Sequence, residues 1–281
     1  MNSLNNGLYI VSTPIGNLED ISIRAKNVLN LVDIIICENP IHSLKLLNKL
    51  GIKKKLLSLH DYNEQVLIKR IAKYQNNAPI ALISDAGSPL ISDPGYKLVL
   101  DYIKKNLMIT CVPGPSSVIP ALQLSGLPVN NFTFHGFVAK NKSGQKEMCD
   151  IIKNSNSTNV FFISGSRLIN FLNELLNNKV NRKISVCKEM TKMNEKIFRG
   201  EIDSVLKNIS SKKNNLKGEF VLVIEGKTKE ITKKLSPEIE KLIVKLLLTS
   251  SVLVPLILQN VRSSILYLRL ASSCKLFRHM C

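Results

Sequence analysis

The chain has 281 residues, 44% hydrophobic and 21% charged, a balance ordinary for a globular protein, and is long enough for one large core or two medium ones. Lys and Arg number 39 against 21 Asp and Glu, a formal net charge of +18, which favours a polyanionic partner such as nucleic acid or an anionic membrane surface. The 6 cysteines are scattered, with no C-x-x-C and no His at metal-ligand spacing, so neither a disulfide framework nor a metal site is expected. No basic-then-apolar signal pattern opens the chain, which makes the cytoplasm the default location.

Leu8 to Ser12 reads as a buried strand running into Thr13-Pro14-Ile15-Gly16, where Pro14 withholds a ladder donor and Gly16 permits a turn. A helix follows, capped by Asp20 or Ser22, with Ile21, Ala25, Val28, Leu29 and Val32 at helical spacing. Asp33 to Cys37 is a second strand, ending at Glu38-Asn39-Pro40. A helix near Ser43 to Leu50, a strand near Leu56 to Leu59 and a helix to about Tyr74 come next. Ile80 to Ile83 is then broken by two turns rich in Asp, Gly and Pro, Ser84-Asp85-Ala86-Gly87-Ser88-Pro89 and Ser92-Asp93-Pro94-Gly95, before a helix from Tyr96 to Lys105. Met108 to Val112 stops at Pro113-Gly114-Pro115-Ser116-Ser117, a third loop of the same style. Strand, loop and helix thus alternate through the first half, the pattern of a mostly parallel sheet.

The second half repeats this grammar more loosely. Strands are expected at Phe132 to Val138, Val160 to Ile163, Ile184 to Cys187, near Ile197, and at Phe220 to Ile224, with helices before Val160, up to Leu176, and from Glu201 to Ile209. A basic loop carrying Lys140, Lys142 and Lys146 follows the first of them. The chain divides into an α/β domain over 1–115, a second over 116–235, and an atypical basic, apolar tail over 236–281. Lys241 to Cys281 holds no Asp, Glu or Gly. Polar residues interrupt Leu242 to Val261, so the tail reads as an amphipathic or out-of-frame segment rather than a membrane span, and no stable membrane association is expected.

Dinucleotide, P-loop and nucleophile-elbow patterns are missing, which removes the usual support for those chemistries. What remains is three Gly/Pro loops at strand ends, suited to lining a cleft with backbone N–H and C=O groups for an uncharged or zwitterionic ligand. Composition and spacing name no reaction beyond that.

Thr13-Pro14-Ile15-Gly16-Asn17-Leu18-Glu19-Asp20-Ile21, His60 with Asn63-Glu64, the two turns between Ser84 and Tyr96, Pro113-Gly114-Pro115-Ser116, Gly136-Phe137, Lys188-Glu189-Met190-Thr191-Lys192, Phe198-Arg199-Gly200 and Lys217-Gly218-Glu219 occur in series. Together they resemble the ribosomal RNA small subunit methyltransferase I family, a branch of the tetrapyrrole methylase superfamily. The resemblance implies two α/β domains of the tetrapyrrole methylase type, a cofactor cleft between them, S-adenosyl-L-methionine as cofactor, and a homodimer. It implies methylation of the ribose 2′-oxygen of a cytidine in the decoding region of 16S rRNA, with the small ribosomal subunit as partner. Carried over by position, Pro14, Asp85, Gly87, Ser88, Ile91, Ser92, Ser116 and Ser117 would line the cofactor pocket, and Lys140, Lys142, Lys146, Arg167 and Lys188 would face RNA.

A ribose hydroxyl must lose its proton as it is methylated, and Glu64, Glu189 and Asp85 are the carboxylates considered for that role. Glu189 with Lys192 is favoured. Two departures from the family pattern bear on this reading: Glu38-Asn39-Pro40-Ile41 replaces Glu-Asp-Thr-Arg, and Ile163-Ser164-Gly165-Ser166-Arg167 replaces Glu-Ser-Pro-His-Arg. They leave open a tetrapyrrole-ring methylase and a non-catalytic cofactor- or rRNA-binding remnant as alternatives.

Overall fold

The computed structural model describes residues 3–60, 62–211 and 216–227, all within one compact unit, Met1–Thr228. The tail expectations for 236–281, including Leu242 to Val261, lie outside the described residues. Among the described residues no helix is long and apolar enough to cross a membrane.

Five short apolar runs form the first sheet: β1 (Gly7–Val11), β2 (Ile34–Cys37), β3 (Lys55–Ser58), β4 (Pro79–Ile83) and β5 (Ile109–Val112). They lie in the order β3-β2-β4-β1-β5, and every pairing is parallel. The continuous apolar character of β2 and β4 follows from burial on both faces, as parallel sheets require. Helices α1 (Ile23–Leu31) and α2 (Pro40–Lys49) supply Val28, Leu29 and Leu47 to one face, where they pack with Val11, Ile35 and Ile83. Helices α3 (Glu64–Gln75) and α4 (Tyr96–Lys104) cover the other, burying Ile71, Leu98 and Tyr102 against Leu8, Ile36 and Leu82. Ser22, not Asp20, caps α1, its hydroxyl accepting from the Ala25 N–H at 3.0 Å.

Residues 113–117 lead out of the first sheet into α5 (Val118–Ser125), and a second five-stranded sheet follows. Its strands are β6 (Phe132–Phe137), β7 (Thr158–Ser164), β8 (Lys183–Lys188), β9 (Lys196–Glu201) and β10 (Glu219–Ile224), in the order β6-β7-β10-β8-β9. Only β6 and β7 run parallel; the other pairings are antiparallel. Helices α6 (Lys142–Asn154), α7 (Gly165–Asn177) and α8 (Ile202–Ser210) pack Ile152, Phe171 and Val205 on one face around Phe161 and Leu222. Helix α5 covers the opposite face, where Ala121 and Leu122 meet Val160, Cys187 and Val221. Lys142 and Lys146 belong to the start of α6 rather than to a loop, because Asn141 accepts from the Gly144 N–H and starts the helix early.

Candidate active site

The three loops that follow β4, β1 and β5 are tied into one surface. Thr13 and Gly87 exchange backbone hydrogen bonds of 2.8 and 3.0 Å, and the Thr13 hydroxyl donates to the Ser84 carbonyl at 3.2 Å. The Ser88 hydroxyl lies 3.1 Å from that of Ser12 and donates to the Pro115 carbonyl at 3.1 Å. Gly87 sits where the loops converge, at φ +82°, a conformation that favours glycine.

These loops form one wall of a cavity of about 460 Å³ at the carboxyl ends of the first sheet's strands, where open α/β sheets bind ligands. The opposite wall comes from the second sheet, with Phe137, Phe162, Cys187, Met190 and Phe220. Of the residues that the resemblance implies for a cofactor pocket, Asp85, Gly87, Ser88, Ile91, Ser92, Ser116 and Ser117 line this cavity; Pro14 does not, while its neighbour Ile15 does. Two loops at the cavity hold non-glycine residues at positive φ, Leu90 at 74° and Ser92 at 71° on one, Glu189 at 48° and Thr191 at 66° on the other. Strain of this kind collects where a loop's shape is dictated by a site.

Glu189 lines the cavity and Lys192 stands beside it. The Glu189 carboxylate accepts from the Glu219 N–H at 2.8 Å and from Lys192 Nζ at 3.1 Å, while Lys192 also reaches Glu219 Oε2 at 2.7 Å. Burial works against the charge on Glu189, but the Glu219 N–H and the lysine outweigh it and hold the carboxyl below its ordinary value. Burial likewise opposes the charge on Lys192, and the two glutamates overcome it, raising its proton affinity. The clamp thus holds the carboxylate that the sequence reading favours as the base at the cavity, with two donors on it. Glu64, the other carboxylate considered, is 4% exposed and accepts from the Leu98 N–H at 2.9 Å, tying α3 to the first turn of α4 outside the cavity lining.

Sequence reasoning passed over Asp93, which lines the cavity with Glu38 and Asp85. Burial and then the negative charge of Glu38 push the Asp93 carboxyl up to about 6, with a smaller push from Asp85 and a hydrogen bond from Ser84 acting the other way. The signal was present in the second Asp-containing turn, but the convergence of β2 and β4 that crowds three carboxylates together appears only in the fold.

The expected RNA-facing residues are not cavity residues. Lys140, Lys142 and Lys146 are exposed at the start of α6. Arg167 is half-buried, its Nη1 donating to the Val138 carbonyl at 2.7 Å and its Nε to Ser164 Oγ at 3.1 Å, so it fastens α7 to the end of β6. Lys188 is 5% exposed with Nζ 6.0 Å from the Phe220 ring centre, which corrects its assignment to an RNA-facing surface.

The family of Tetrapyrrole (Corrin/Porphyrin) Methylases matches residues 7–206. A Rickettsia prowazekii (strain Madrid E) protein named ribosomal RNA small subunit methyltransferase I is 45% identical over 240 residues, 84% of each chain. The protein of that name from Thermotoga maritima is 39% identical across 78% of this chain and 98% of its own length. Among solved structures, uroporphyrin-III-C-methyltransferase from Thermus thermophilus superposes with a TM-score of 0.56 at 18% identity, covering 79% of this chain and 94% of that one. A cobalt precorrin-4 methyltransferase has a TM-score of 0.56 at 16% identity, covering 78% and 94%. At such identities the structures share a fold, while the sequence matches go further: the chain belongs to the tetrapyrrole methylases and, within them, to the ribosomal RNA small subunit methyltransferase I family.

Proposed function

We propose that this chain transfers a methyl group from S-adenosyl-L-methionine to the ribose 2′-oxygen of a cytidine in the decoding region of 16S rRNA. The observation that carries the reading is convergence: seven of the eight residues expected to hold the cofactor line one cavity between the two sheets. The donor set suits this cofactor. Glu38, Asp85 and Asp93 offer negative charge to a cationic ligand, Ser88, Ser92, Ser116 and Ser117 offer hydroxyls, and Phe137 and Phe162 offer apolar rings. When bound, the cofactor supplies the methyl group on a sulfonium.

The chain's own part is to hold the acceptor hydroxyl in line and to take its proton. Orientation in a closed cleft can supply much of the barrier reduction. Asp93 is the carboxylate suited to the proton, since at a pKa of about 6 it is ionised at neutral pH yet retains more affinity for a proton than an ordinary aspartate. Lys192, held by Glu189 and Glu219, fixes the loop that carries Glu189 and Met190 into the cavity wall. The +18 net charge suits an RNA substrate. Expression in a host that lacks its own enzyme for this modification tests the reading: the decoding-site cytidine should regain its ribose methyl. Methylation of a porphyrin precursor with none of the small subunit would overturn it.

A further inference from the structure

Positive charge is concentrated far from the cavity. Residues 39–84 hold eight Lys and Arg against two acids, Asp61 and Glu64. Glu64 is buried and committed to the Leu98 N–H. The fold gathers the lysines at the β3 edge of the first sheet. Lys53 and Lys54 lead into β3, Lys55 opens it, Lys49 ends α2, and Lys73 lies in the last turn of α3. Because β3 is the outermost strand and α2 and α3 cover opposite faces of the sheet, these side chains border one edge. The Nζ atoms of Lys55 and Lys73 lie 5.6 and 5.1 Å from the centre of the same Tyr74 ring, so both ammonium groups border one aromatic side chain.

Among the described residues, none of these five lysines makes an ion pair. Four are exposed and Lys54 is half-buried. Lysine on an edge strand deters strand-to-strand aggregation, and a single lysine in a last helical turn offsets the helix dipole. Those needs are met by fewer charges than are assembled here. The cluster lies at the amino ends of the parallel strands, whereas the cavity lies at their carboxyl ends; α3 spans about 18 Å between the two.

We propose that the β3 edge is a second RNA-binding surface, taking the phosphate backbone of the substrate RNA at a distance from the nucleotide held in the cavity. Charge complementarity selects the occupant, since closely spaced, unneutralised ammonium groups fit a ladder of phosphates and release its counterions. The proposal rests on the reading of the substrate as rRNA, but its measure is binding rather than methylation.

The test uses the full chain and purified 16S rRNA, with affinity measured across a salt series. A triple variant, Lys53→Gln, Lys54→Gln and Lys55→Gln, should bind RNA about tenfold more weakly and lower the slope of log affinity against log salt by about 2. The matching triple Lys→Arg variant should bind like the parent. Calorimetry with S-adenosyl-L-methionine should give the same affinity for all three, and methylation at saturating RNA should be unchanged. The helix-borne pair Lys49→Gln and Lys73→Gln provides the same readout with β3 untouched. Parental RNA affinity and salt slope in both Gln variants would overturn the proposal. A parent that binds RNA without methylating it would sink the functional reading, with the binding comparison still deciding the surface.

Discussion

Asp93→Asn should make the protein more stable and less active at once. The Asp93 carboxyl is raised from 3.8 to about 6, and at about 1.4 kcal/mol per unit the ionised form costs the fold at most about 3 kcal/mol. The side chain is half-buried, so solvent screening reduces this to about 1–2 kcal/mol. The sign follows from proton counting. Between the unfolded and folded pKa values the folded state binds more protons, so stability falls as pH rises through that window; the cost is full above about 6 and absent below 3.8. Asparagine removes the charge without changing the side chain's shape. Its melting temperature should therefore exceed the parent's by about 2–8 °C at pH 7.5, and the gain should vanish near pH 3.5. Methylation should drop by about 100-fold or more, the usual contribution of a general base. The groups facing Asp93 are Glu38, Asp85 and the Ser84 hydroxyl, so Glu38→Gln should move the acidic limb of the parent's pH–rate profile to lower pH. Equal melting temperatures at pH 7.5, or a gain that persists at pH 3.5, would refute the electrostatic argument. A stabilised variant with parental turnover would refute the assignment of the base.

Glu189→Gln should retain methylation to within about tenfold, because its place is in the clamp with Lys192 and Glu219 rather than at the proton. Its carboxyl is held below 4.5, so the stability it adds is present above that value and fades as pH falls; the difference in melting temperature between parent and variant should shrink on acidification. Gly165→Ala should destabilise by about 2–4 kcal/mol in denaturant unfolding, since a Cβ there would overlap the Leu216 carbonyl. Wild-type stability in that variant would mean that the two segments part readily.

Nine of the ten described strands stand within a residue or two of where apolar runs and Gly/Pro punctuation put them; the other, expected only near Ile197, runs over Lys196–Glu201. The cavity wall made by the three loops was readable for the same reason: backbone turns leave a mark in glycine, proline and aspartate. Side chains whose role depends on what approaches them from elsewhere left none. Glu64 and Asp93 are both carboxylates near helix starts in sequence, yet one ends buried against α4 and the other beside Glu38 and Asp85 in the cavity. Lys188 reads as one more surface lysine until β10 brings Phe220 next to it. The antiparallel order of the second sheet was equally hidden, since local patterning does not say which strands will pair.

The two departures from the family pattern look in sequence like losses, and the fold treats them differently. Asn39 caps α2, accepting from Ile41 and His42 at 3.0 and 3.3 Å, and Pro40 takes the first helical position, where its missing N–H costs nothing. The Asn39 N–H in turn donates to Asp85 Oδ1 at 3.2 Å, so this segment braces the acidic wall of the cavity. At the second departure, Gly165 admits the Leu216 carbonyl against the start of α7, and Arg167 binds Ser164 and the end of β6. Neither segment has an unpartnered buried side-chain polar atom among the described residues. Both departures are therefore built into the fold: the first supports the acidic wall of the cavity through Asp85, and the second lets α7 start against Leu216.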